Sequence, residues 1–455
     1  MINSQRSMLN VQIIPQPIQI KFTDFRQYIF MKKTLVILIL VFLATGAFAQ
    51  EVNKLITTKE VLRVETFLAA DDMRGRKPGT PEIDKAADFI ANEFKNSQLK
   101  YFDGLDSYKQ SFTNIRTKFL SANATIDAEK IDEANVIAIT TDSLIKINES
   151  SNFKKVVIGN TENLFQRAEA IINSKSNQLV LVNNFFINDF KKLRRYKRDG
   201  IKTDFSVVFV LTNNAADKYE MEIKHKITAF NFSNIVAVLP GKSRKNEMVV
   251  FSGHYDHLGV GKPNAAGDSI YNGANDDAAG TTAVIMLANY FAKLKNNELT
   301  LIFVAFTAEE TGGFGSQYFS KQLDADKVVA MFNLEMIGTE SKWGKNSAYI
   351  TGYEKSDFGK ILQNNLAGSA FKFEPDPYPS ENLFYRSDNA TLAALGVPAH
   401  TISTSKMDSE PTYHKQTDDI ASIDINNMTE IIKAIALSSK TIISGKDTPS
   451  RVEKK

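Results

Sequence analysis

The chain has 455 residues, of which 43% are hydrophobic and 24% are charged, with no cysteine, one tryptophan and five histidines. This composition is typical of a globular protein and excludes a collagen, a disulfide-stapled scaffold, a wholly disordered chain and a protein with many membrane spans. Without cysteine the chain has no thiol nucleophile and no thiolate metal site, so His, Asp and Glu must hold any bound metal. The length predicts about two or three domains of ordinary size.

The formal net charge of +3 comes from the first part of the chain. Residues 1–49 hold five basic side chains and one acidic side chain, which leaves 50 basic and 51 acidic side chains in the remainder. The basic run at 191–198 resembles a patch for nucleic acid or an anionic membrane. We favour a solvated helix face or loop there, because the remainder as a whole is not basic, and we expect no nucleic-acid partner.

Residues 31–49 have the pattern of an export signal. Two lysines, Lys32 and Lys33, precede the apolar run Leu35–Leu43, and the small-x-small sequence Ala47-Phe48-Ala49 follows it. A basic region, an apolar region and a cleavage site in this order are typical of a secretory signal peptide. The apolar run is too short to cross a membrane as a helix.

We therefore expect translation to start at Met31, with residues 1–30 as an upstream extension. Cleavage after Ala49 would give a protein that begins near Gln50. We expect that protein in the periplasm or outside the cell, with no stable insertion into a membrane. An exported protein can carry disulfides, but this chain has no cysteine to form them.

The next part of the chain divides into a helical segment and a β-rich segment. Two helices are predicted between Thr57 and Ser97, and Pro81 is suited to the start of the second. Residues 115–230 then contain little glycine and no cluster of candidate metal ligands. Their short β-like runs are Val136–Ile139, Lys155–Ile158, Leu179–Val182 and Ser206–Leu211.

From residue 232 onward, apolar strands alternate with helical stretches, which favours a largely parallel sheet covered by helices. We predict an α/β fold with three layers, in which residues 50–114 and 231–446 form one discontinuous domain around a helix-covered, mostly parallel sheet. A smaller α/β domain at 115–230 interrupts it, and a frayed tail at 447–455 ends the chain. The predicted strands are Asn234–Leu239, Met248–Ser252, Leu299–Phe306, Val328–Leu334, Ala348–Gly352 and Pro398–Ser403.

Histidines and carboxylates follow these strands, and the carboxyl ends of parallel strands meet at one edge of a sheet. Two adjacent acids at a partly buried strand end are costly to desolvate unless a cation offsets them. Mixed imidazole and carboxylate ligands suit zinc, and there are enough of them for two ions with one bridging carboxylate. The residues are His254, Asp256, Asp276, Glu309, Glu310, Glu335 and His414.

This ordered set resembles the co-catalytic zinc exopeptidases, the family of leucyl-type aminopeptidases, glutamate carboxypeptidases and glutaminyl cyclases. The resemblance covers Thr57–Gln110 and Phe230–Ser444. It implies an exopeptidase with two zinc ions, most readily an aminopeptidase, that acts on peptides through a metal-activated water. By resemblance, His254 and Glu335 bind one zinc, Glu310 and His414 bind the other, Asp276 bridges them, Glu309 is the general base and Asp256 orients His254.

The sequence departs from the family pattern at two positions. Glu335 stands where the family usually has Asp, and Asn389 stands where His usually follows a Ser-Asp pair. The segment around that pair often lines the substrate pocket, so Arg386 and Asp388 are candidate substrate residues. Arg386 could grip a carboxylate with both nitrogens or form a structural ion pair. The insert lies where many members carry a protease-associated domain.

Three histidines remain outside this assignment. We expect a supporting or surface role for His257, a packed core position for His400 and a solvated position for His225. The sequence contains neither a His-Glu-x-x-His motif nor a Gly-x-Ser-x-Gly motif, so a thermolysin-like site and a serine nucleophile elbow are excluded.

Two other functions stay open beside the exopeptidase. One is a single-zinc acyltransferase of the glutaminyl cyclase type, and the other is a metal-free relative that only binds. The sequence leaves open the choice between amino- and carboxypeptidase action, the side-chain preference, the purpose of the insert and the oligomeric state.

Overall fold

The computed structural model describes residues 51–196 and 200–455, so the predicted signal peptide at 31–49 and the extension at 1–30 lie outside the described residues. Contacts divide the chain into Met1–Lys54 and Leu55–Lys455, and the architecture that follows is that of the second unit. Among the described residues, no helix is both long enough and apolar enough to cross a membrane.

Two helices begin this unit, as their apolar spacing predicts. The side chain of Thr57 caps α1 (Thr58–Leu68) by accepting a hydrogen bond from the backbone N–H of Glu60. Helix α2 (Pro81–Asn96) begins with proline, which fits the first turn because the N–H it lacks has no partner there. The later helices are α3 (Leu164–Asn173), α4 (Ala279–Leu294), α5 (Phe314–Phe319), α6 (Phe358–Asn365), α7 (Asn389–Ala394), α8 (Ile425–Ser438) and α9 (Lys440–Ile443).

The strands form one large mixed sheet, one small sheet and a short hairpin. They are β1 (Lys100–Tyr101), β2 (Lys109–Ile126), β3 (Glu129–Ile131), β4 (Val136–Ile139), β5 (Leu144–Asn148), β6 (Lys154–Ile158), β7 (Gln178–Val182), β8 (Gly200–Ile201), β9 (Val207–Leu211), β10 (Tyr219–Leu239), β11 (Arg244–His254), β12 (Gly259–Val260), β13 (Ile270–Tyr271), β14 (Leu299–Phe306), β15 (Val328–Leu334), β16 (Ser347–Ile350), β17 (Lys372–Pro375) and β18 (Ala399–Ser403).

The centre of the large sheet is parallel. Strand β11 lies between β14 and β15 and runs parallel to both, and β18 continues in the same direction beside β15. Strands β10 and β16 pair antiparallel on either side of this group. Every residue of β14 is buried, which is the pattern of a strand covered on both faces.

Helices cover the two faces of this sheet in three layers, which confirms the predicted α/β class. On one face, α4 packs against α1, α2 and α8 and against the central strands. The ring of Phe251 lies 5.6 Å from Phe303, 4.8 Å from Phe332 and 5.5 Å from Phe291 of α4. The opposite face packs against α5 and α7 through Phe319 and other apolar side chains.

The 115–230 region contains the predicted small α/β unit, with its strands in the order β4-β9-β7-β6. Helix α3 covers one face of this small sheet. The other face packs against β2, β5 and β10. Strands β2 and β10 pair without interruption from Lys109↔Ile235 to Ile126↔Tyr219, apart from one bulge. The predicted boundaries at 115 and 230 therefore fall inside two strands that run from the large sheet into the insert.

Two local expectations differ from the structure. Residues 447–455 are packed, not frayed: Val452 is buried and Arg451 donates a hydrogen bond from Nη1 to the carbonyl of Val328. His225 is buried beside Phe119, not solvated. It shares the inward face of β10 with every second residue from Tyr219, and this period-two pattern is what turns it into the core.

Candidate metal centre

The predicted ligands meet at the carboxyl edge of the parallel strands. His254 is the last residue of β11, and Glu335 follows β15 directly. Glu310 lies in the turn after β14, and Asp276 lies in the turn Ala274–Ala278 that leads into α4. His414 comes from the loop after β18.

Two groups of donor atoms share the carboxylate of Asp276. His254 Nε2 lies 3.2 Å from Asp276 Oδ1 and 3.2 Å from Glu335 Oε1. His414 Nε2 lies 3.2 Å from Asp276 Oδ2 and 3.2 Å from Glu310 Oε2. Zinc bonds of about 2.0–2.1 Å place tetrahedral ligands about 3.3 Å apart. The four distances therefore fit one ion at each group, with Asp276 between them.

The tautomer of His254 suits this assignment. Its Nδ1 lies 3.0 Å from the backbone carbonyl of Asp256, which can only accept a hydrogen bond. Nδ1 therefore carries the proton, and the lone pair of Nε2 is left for a metal. We predicted that the Asp256 carboxylate would orient this ring, but it lies 3.7 Å away.

The Asp256 carboxylate instead holds the acidic pair after β14. It accepts hydrogen bonds from the backbone N–H of Glu309 at 3.1 Å and of Glu310 at 3.3 Å. Two N–H groups of a turn are directed at one buried carboxylate, which fixes the backbone that carries both acids. Asp256 thus supports the site through the Glu309–Glu310 turn more than through the His254 ring.

Two further buried acids, Asp277 and Asp418, fix the ligand loops. Asp277 accepts hydrogen bonds from the backbone N–H groups of His254, Gly280 and Met336, each at 3.0 Å. Asp418 accepts from the backbone N–H of Asn275 at 2.8 Å and of Asp276 at 3.0 Å. These bonds join the ends of β11 and β15, the start of α4 and the loop that carries His414.

His257 also lies at the metal centre. Its ring is fully buried, and Nδ1 is 2.7 Å from Glu310 Oε1 and 3.9 Å from Asp276 Oδ2. His257, Asp276 and Glu310 could by themselves hold an ion. His414 remains the better candidate ligand, because it reaches one oxygen of both carboxylates at 3.2 Å, whereas His257 contacts the other oxygen of Glu310. The position of His257, three residues after His254 at the same strand end, is the signal that could have predicted its contact with Glu310.

Backbone strain surrounds the acids and His414. Ala308, Met336 and His414 have φ values of +60°, +51° and +55°, a region that costs side chains free energy and that concentrates at functional sites. Ala308 precedes Glu309, and Met336 follows Glu335. The fold therefore holds three of the site's segments in conformations that they would not adopt alone.

Glu309 lines the open cavity above the donor groups. Burial holds the pKa of Glu309 well above its usual value against the opposing charge of His254, and the negative charge of Glu335 adds to the rise. A carboxylate with a raised pKa is suited to accept and return a proton near neutral pH.

Comparisons with known proteins agree with this geometry. Residues 234–438 match the family described as Peptidase family M28. This segment is similar to the peptidases of that family. The predicted resemblance is thereby confirmed.

Two curated relatives are similar to this chain in sequence, and one solved structure is similar to it in fold. A probable zinc metalloprotease of Pyrenophora tritici-repentis is 34% identical over 127 residues, which cover 28% of this chain and 29% of that protein. A probable leucine aminopeptidase of Trichophyton verrucosum is 28% identical over 218 residues, 45% of this chain and 55% of that protein. The chain thus spans between about a quarter and just over half of these relatives' length. An aminopeptidase from Aneurinibacillus sp. strain AM-1 has the same fold, with a TM-score of 0.51 and 18% identity over 89% of this chain and 96% of that one.

The two predicted substrate residues lie in different surroundings. Arg386 lines the cavity, and its Nη1 is 3.1 Å from Oε2 of Glu381, so it forms the ion pair that was the alternative interpretation. Asp388 is 2% exposed and does not line the cavity, so a substrate cannot reach it directly. Burial raises the pKa of Asp388 to about 7.

Ser387 and Asn389, the neighbours of Asp388, have structural partners. Ser387 donates a hydrogen bond at 2.6 Å to Oε2 of Glu335, which leaves Oε1 facing His254. The longer side chain of Glu335 is thus held in place by a residue that sequence reasoning missed. Asn389, where the family usually has His, is buried and donates to the carbonyls of Phe384 and Ala399.

Apolar side chains form much of the remaining cavity wall. They are Met336, Tyr349, Leu383 and Met407. His400 lies outside the cavity in the core, as predicted: its Nδ1 contacts the carbonyl of Thr351 at 2.8 Å, and burial lowers its pKa to about 4.

Proposed function

We propose that this protein is an exported exopeptidase that holds two zinc ions and removes residues from the amino end of peptides. The observation that carries the proposal is the Asp276 carboxylate, whose two oxygens each lie 3.2 Å from the Nε2 of a different histidine. Each of these pairs has a further carboxylate at the same distance. This is a donor set for two ions rather than one.

Zinc ions at such positions polarise a peptide carbonyl and lower the pKa of a water molecule to about 7. The residues of this chain do the rest. His254 and Glu335 would hold one ion and His414 and Glu310 the other, with Asp276 shared. Ser387, Asp277 and Asp418 keep these side chains or their loops in position.

Glu309 is the residue that we assign to proton transfer. It lies at the cavity beside the donor groups, and burial raises its pKa, which favours the protonated form. We propose that Glu309 accepts a proton from the attacking water and delivers it to the departing amine, which leaves the carboxylate ready for the next turnover.

The charges around the cavity favour amino-terminal substrates. The carboxylate of Glu309, which is not needed to hold zinc, lines it, and Arg386, a cationic side chain of the wall, is paired with Glu381. A free α-amine is therefore better accommodated than a free carboxylate. The name of the Trichophyton verrucosum relative, a probable leucine aminopeptidase, points the same way.

The test compares aminoacyl chromogenic substrates with the same peptides acetylated at the amino end. We expect hydrolysis of the free forms only, loss of activity with a chelator and recovery with zinc. Glu309→Gln should keep its zinc and lose at least about 100-fold in kcat. Cyclisation of amino-terminal glutamine by a protein with one zinc would support the glutaminyl cyclase alternative, and hydrolysis of the acetylated peptides from their carboxyl end would reverse the assigned direction.

Export is proposed on the signal-like residues 31–49 alone. Cell fractionation of the full-length chain tests it: mature protein beginning near Gln50 outside the inner membrane supports export. Uncleaved protein in the cytoplasm contradicts it.

A further inference from the structure

Arg76 is fully buried, and its guanidinium donates four hydrogen bonds to backbone carbonyls. Nε donates to Tyr255 at 2.7 Å, and Nη2 donates to Gly273 at 2.8 Å. Nη1 donates to Leu68 at 2.5 Å and to Asn272 at 2.6 Å. Four of the five N–H groups of this one side chain are therefore engaged by carbonyl oxygens.

These carbonyls belong to segments that carry metal ligands. Tyr255 directly follows the ligand His254, and Gly273 directly precedes the turn that holds Asp276. The carbonyl of Arg76 also accepts a hydrogen bond from the backbone N–H of His257 at 3.3 Å. Arg76 thus contacts the backbone of the segment that carries His254 and the backbone beside the turn that carries Asp276.

Arginine is chemically suited to this position. Its planar fork reaches several carbonyls in fixed directions, whereas lysine offers three donors from a single nitrogen. A buried cation also needs nearby negative charge. Burial lowers the pKa of Arg76, and the negative charges of Asp418 and Asp256 oppose that shift.

We propose that Arg76 is a positioning residue of the metal centre, which sets the spacing between the segment of His254 and the turn of Asp276. The inference rests on the proposed zinc binding. The spacing at stake is the 3.2 Å between His254 Nε2 and Asp276 Oδ1. The guanidinium joins the two backbones through Tyr255 and Gly273, beside the bond from the N–H of His254 to the Asp277 carboxylate. The fourth carbonyl, of Leu68 at the end of α1, anchors the guanidinium to the surrounding fold.

The experiment measures zinc affinity in the purified full chain after metal removal, by titration against a competing chromogenic chelator. Arg76→Lys keeps the charge and loses the fork. Loss of an interaction that orients ligands typically lowers metal affinity about 10–100-fold. We expect a loss of that size in the zinc affinity of at least one of the two sites. Arg63→Lys is the matched control, because Arg63 lies on α1 and pairs with Glu60 and Glu93 at the surface, and its zinc affinity should equal that of the wild type.

A second variant acts on the same loop without touching the guanidinium. The Asn272 side chain donates to the carbonyl of Ala69 and to Oδ1 of Asp71, both at 2.9 Å. Asn272→Ala should weaken zinc binding less than Arg76→Lys does, because it leaves the link to Tyr255 intact.

The outcomes are separable. Wild-type zinc affinity in a folded Arg76→Lys protein overturns the positioning role and leaves the proposed function standing. An Arg76→Lys protein that stays unfolded even with zinc also overturns it, since Arg76 would then be a requirement of the fold. A wild-type chain that binds no zinc overturns both proposals, whereas zinc binding without peptide hydrolysis overturns only the function.

Discussion

Changing Asp256 to Asn tests whether a buried carboxylate holds the turn that carries the proposed general base. Asp256 is fully buried and accepts hydrogen bonds from the backbone N–H groups of Glu309 and Glu310. An asparagine of the same shape offers one oxygen to these two donors and turns its NH₂ toward the other. One N–H then loses its acceptor, and the remaining bond loses its charge.

The expected cost follows from these two bonds. Leaving a buried N–H without a partner costs about 1–3 kcal/mol, so we expect Asp256→Asn to lower the free energy of unfolding by about 2 kcal/mol. The turn would also shift, and a displacement of about 1 Å at a reacting group can cost about 100-fold in rate. We therefore expect kcat to fall by about 10- to 100-fold, while zinc still binds.

Urea unfolding and steady-state kinetics on an aminoacyl substrate measure the two effects. Asp88→Asn is the control, because its side chain is 64% exposed and pairs with Lys109 at the surface. An Asp256→Asn protein with wild-type kcat and stability would refute the assignment of this carboxylate to the Glu309–Glu310 turn.

Three further changes test separate parts of the structure. The pKa of Glu65 is raised to about 8 by burial, so its protonated form stabilises the fold, and the free energy of unfolding should fall between about pH 4.5 and pH 8 by up to a few kcal/mol. Glu65→Gln should flatten that pH dependence and the exposed Glu60→Gln should not; an unchanged slope would disprove the shift. In a zinc titration, His257→Phe should weaken the site of Glu310 and His414 more than the site of His254 and Glu335, because the ring contacts Glu310. Equal weakening of both sites would argue against that contact. Gly280→Ala should lower the free energy of unfolding by about 3 kcal/mol or more, since its Cβ would collide with the carbonyl of Leu334, and a melting temperature like that of the wild type would show that the chain relaxes there.

The proximity of the candidate ligands was predictable because of the geometry of parallel strands. Each of His254 and Glu335 stands at or directly after the last residue of an apolar strand, and parallel strand ends converge at one edge. The pair Glu309–Glu310 was informative for the same reason, since adjacent charges after a buried strand require a compensating partner. The α/β class followed from the same apolar runs.

The supporting contacts were not predictable, because they depend on the third dimension. Arg76 binds carbonyls 179 to 197 residues away in the chain, and Ser387 reaches a carboxylate 52 residues away. Neither contact leaves a local pattern. Asp256 was assigned to the His254 ring from a general preference of metal-bound imidazoles, whereas the backbone carbonyl of Asp256 is nearer to that ring.

The predicted boundaries of the insert lie within two strands for a different reason. Composition changes near residues 115 and 230, but the backbones of β2 and β10 continue through both points as one paired ribbon. Composition changes where one strand passes into different surroundings, and not only where a domain ends. The packed end of the chain shows the same limit, since the contacts of Val452 and Arg451 hold 447–455 against the core although most of their neighbours are polar or charged.

Counting the zinc ions on the purified chain tests the central claim most directly. Native mass spectrometry should find two zinc ions per wild-type chain, and Asp276→Ala should lose affinity at both sites because the two donor groups share that carboxylate. One ion or none on the wild-type chain, or an Asp276→Ala protein that keeps two ions at wild-type affinity, would contradict the account.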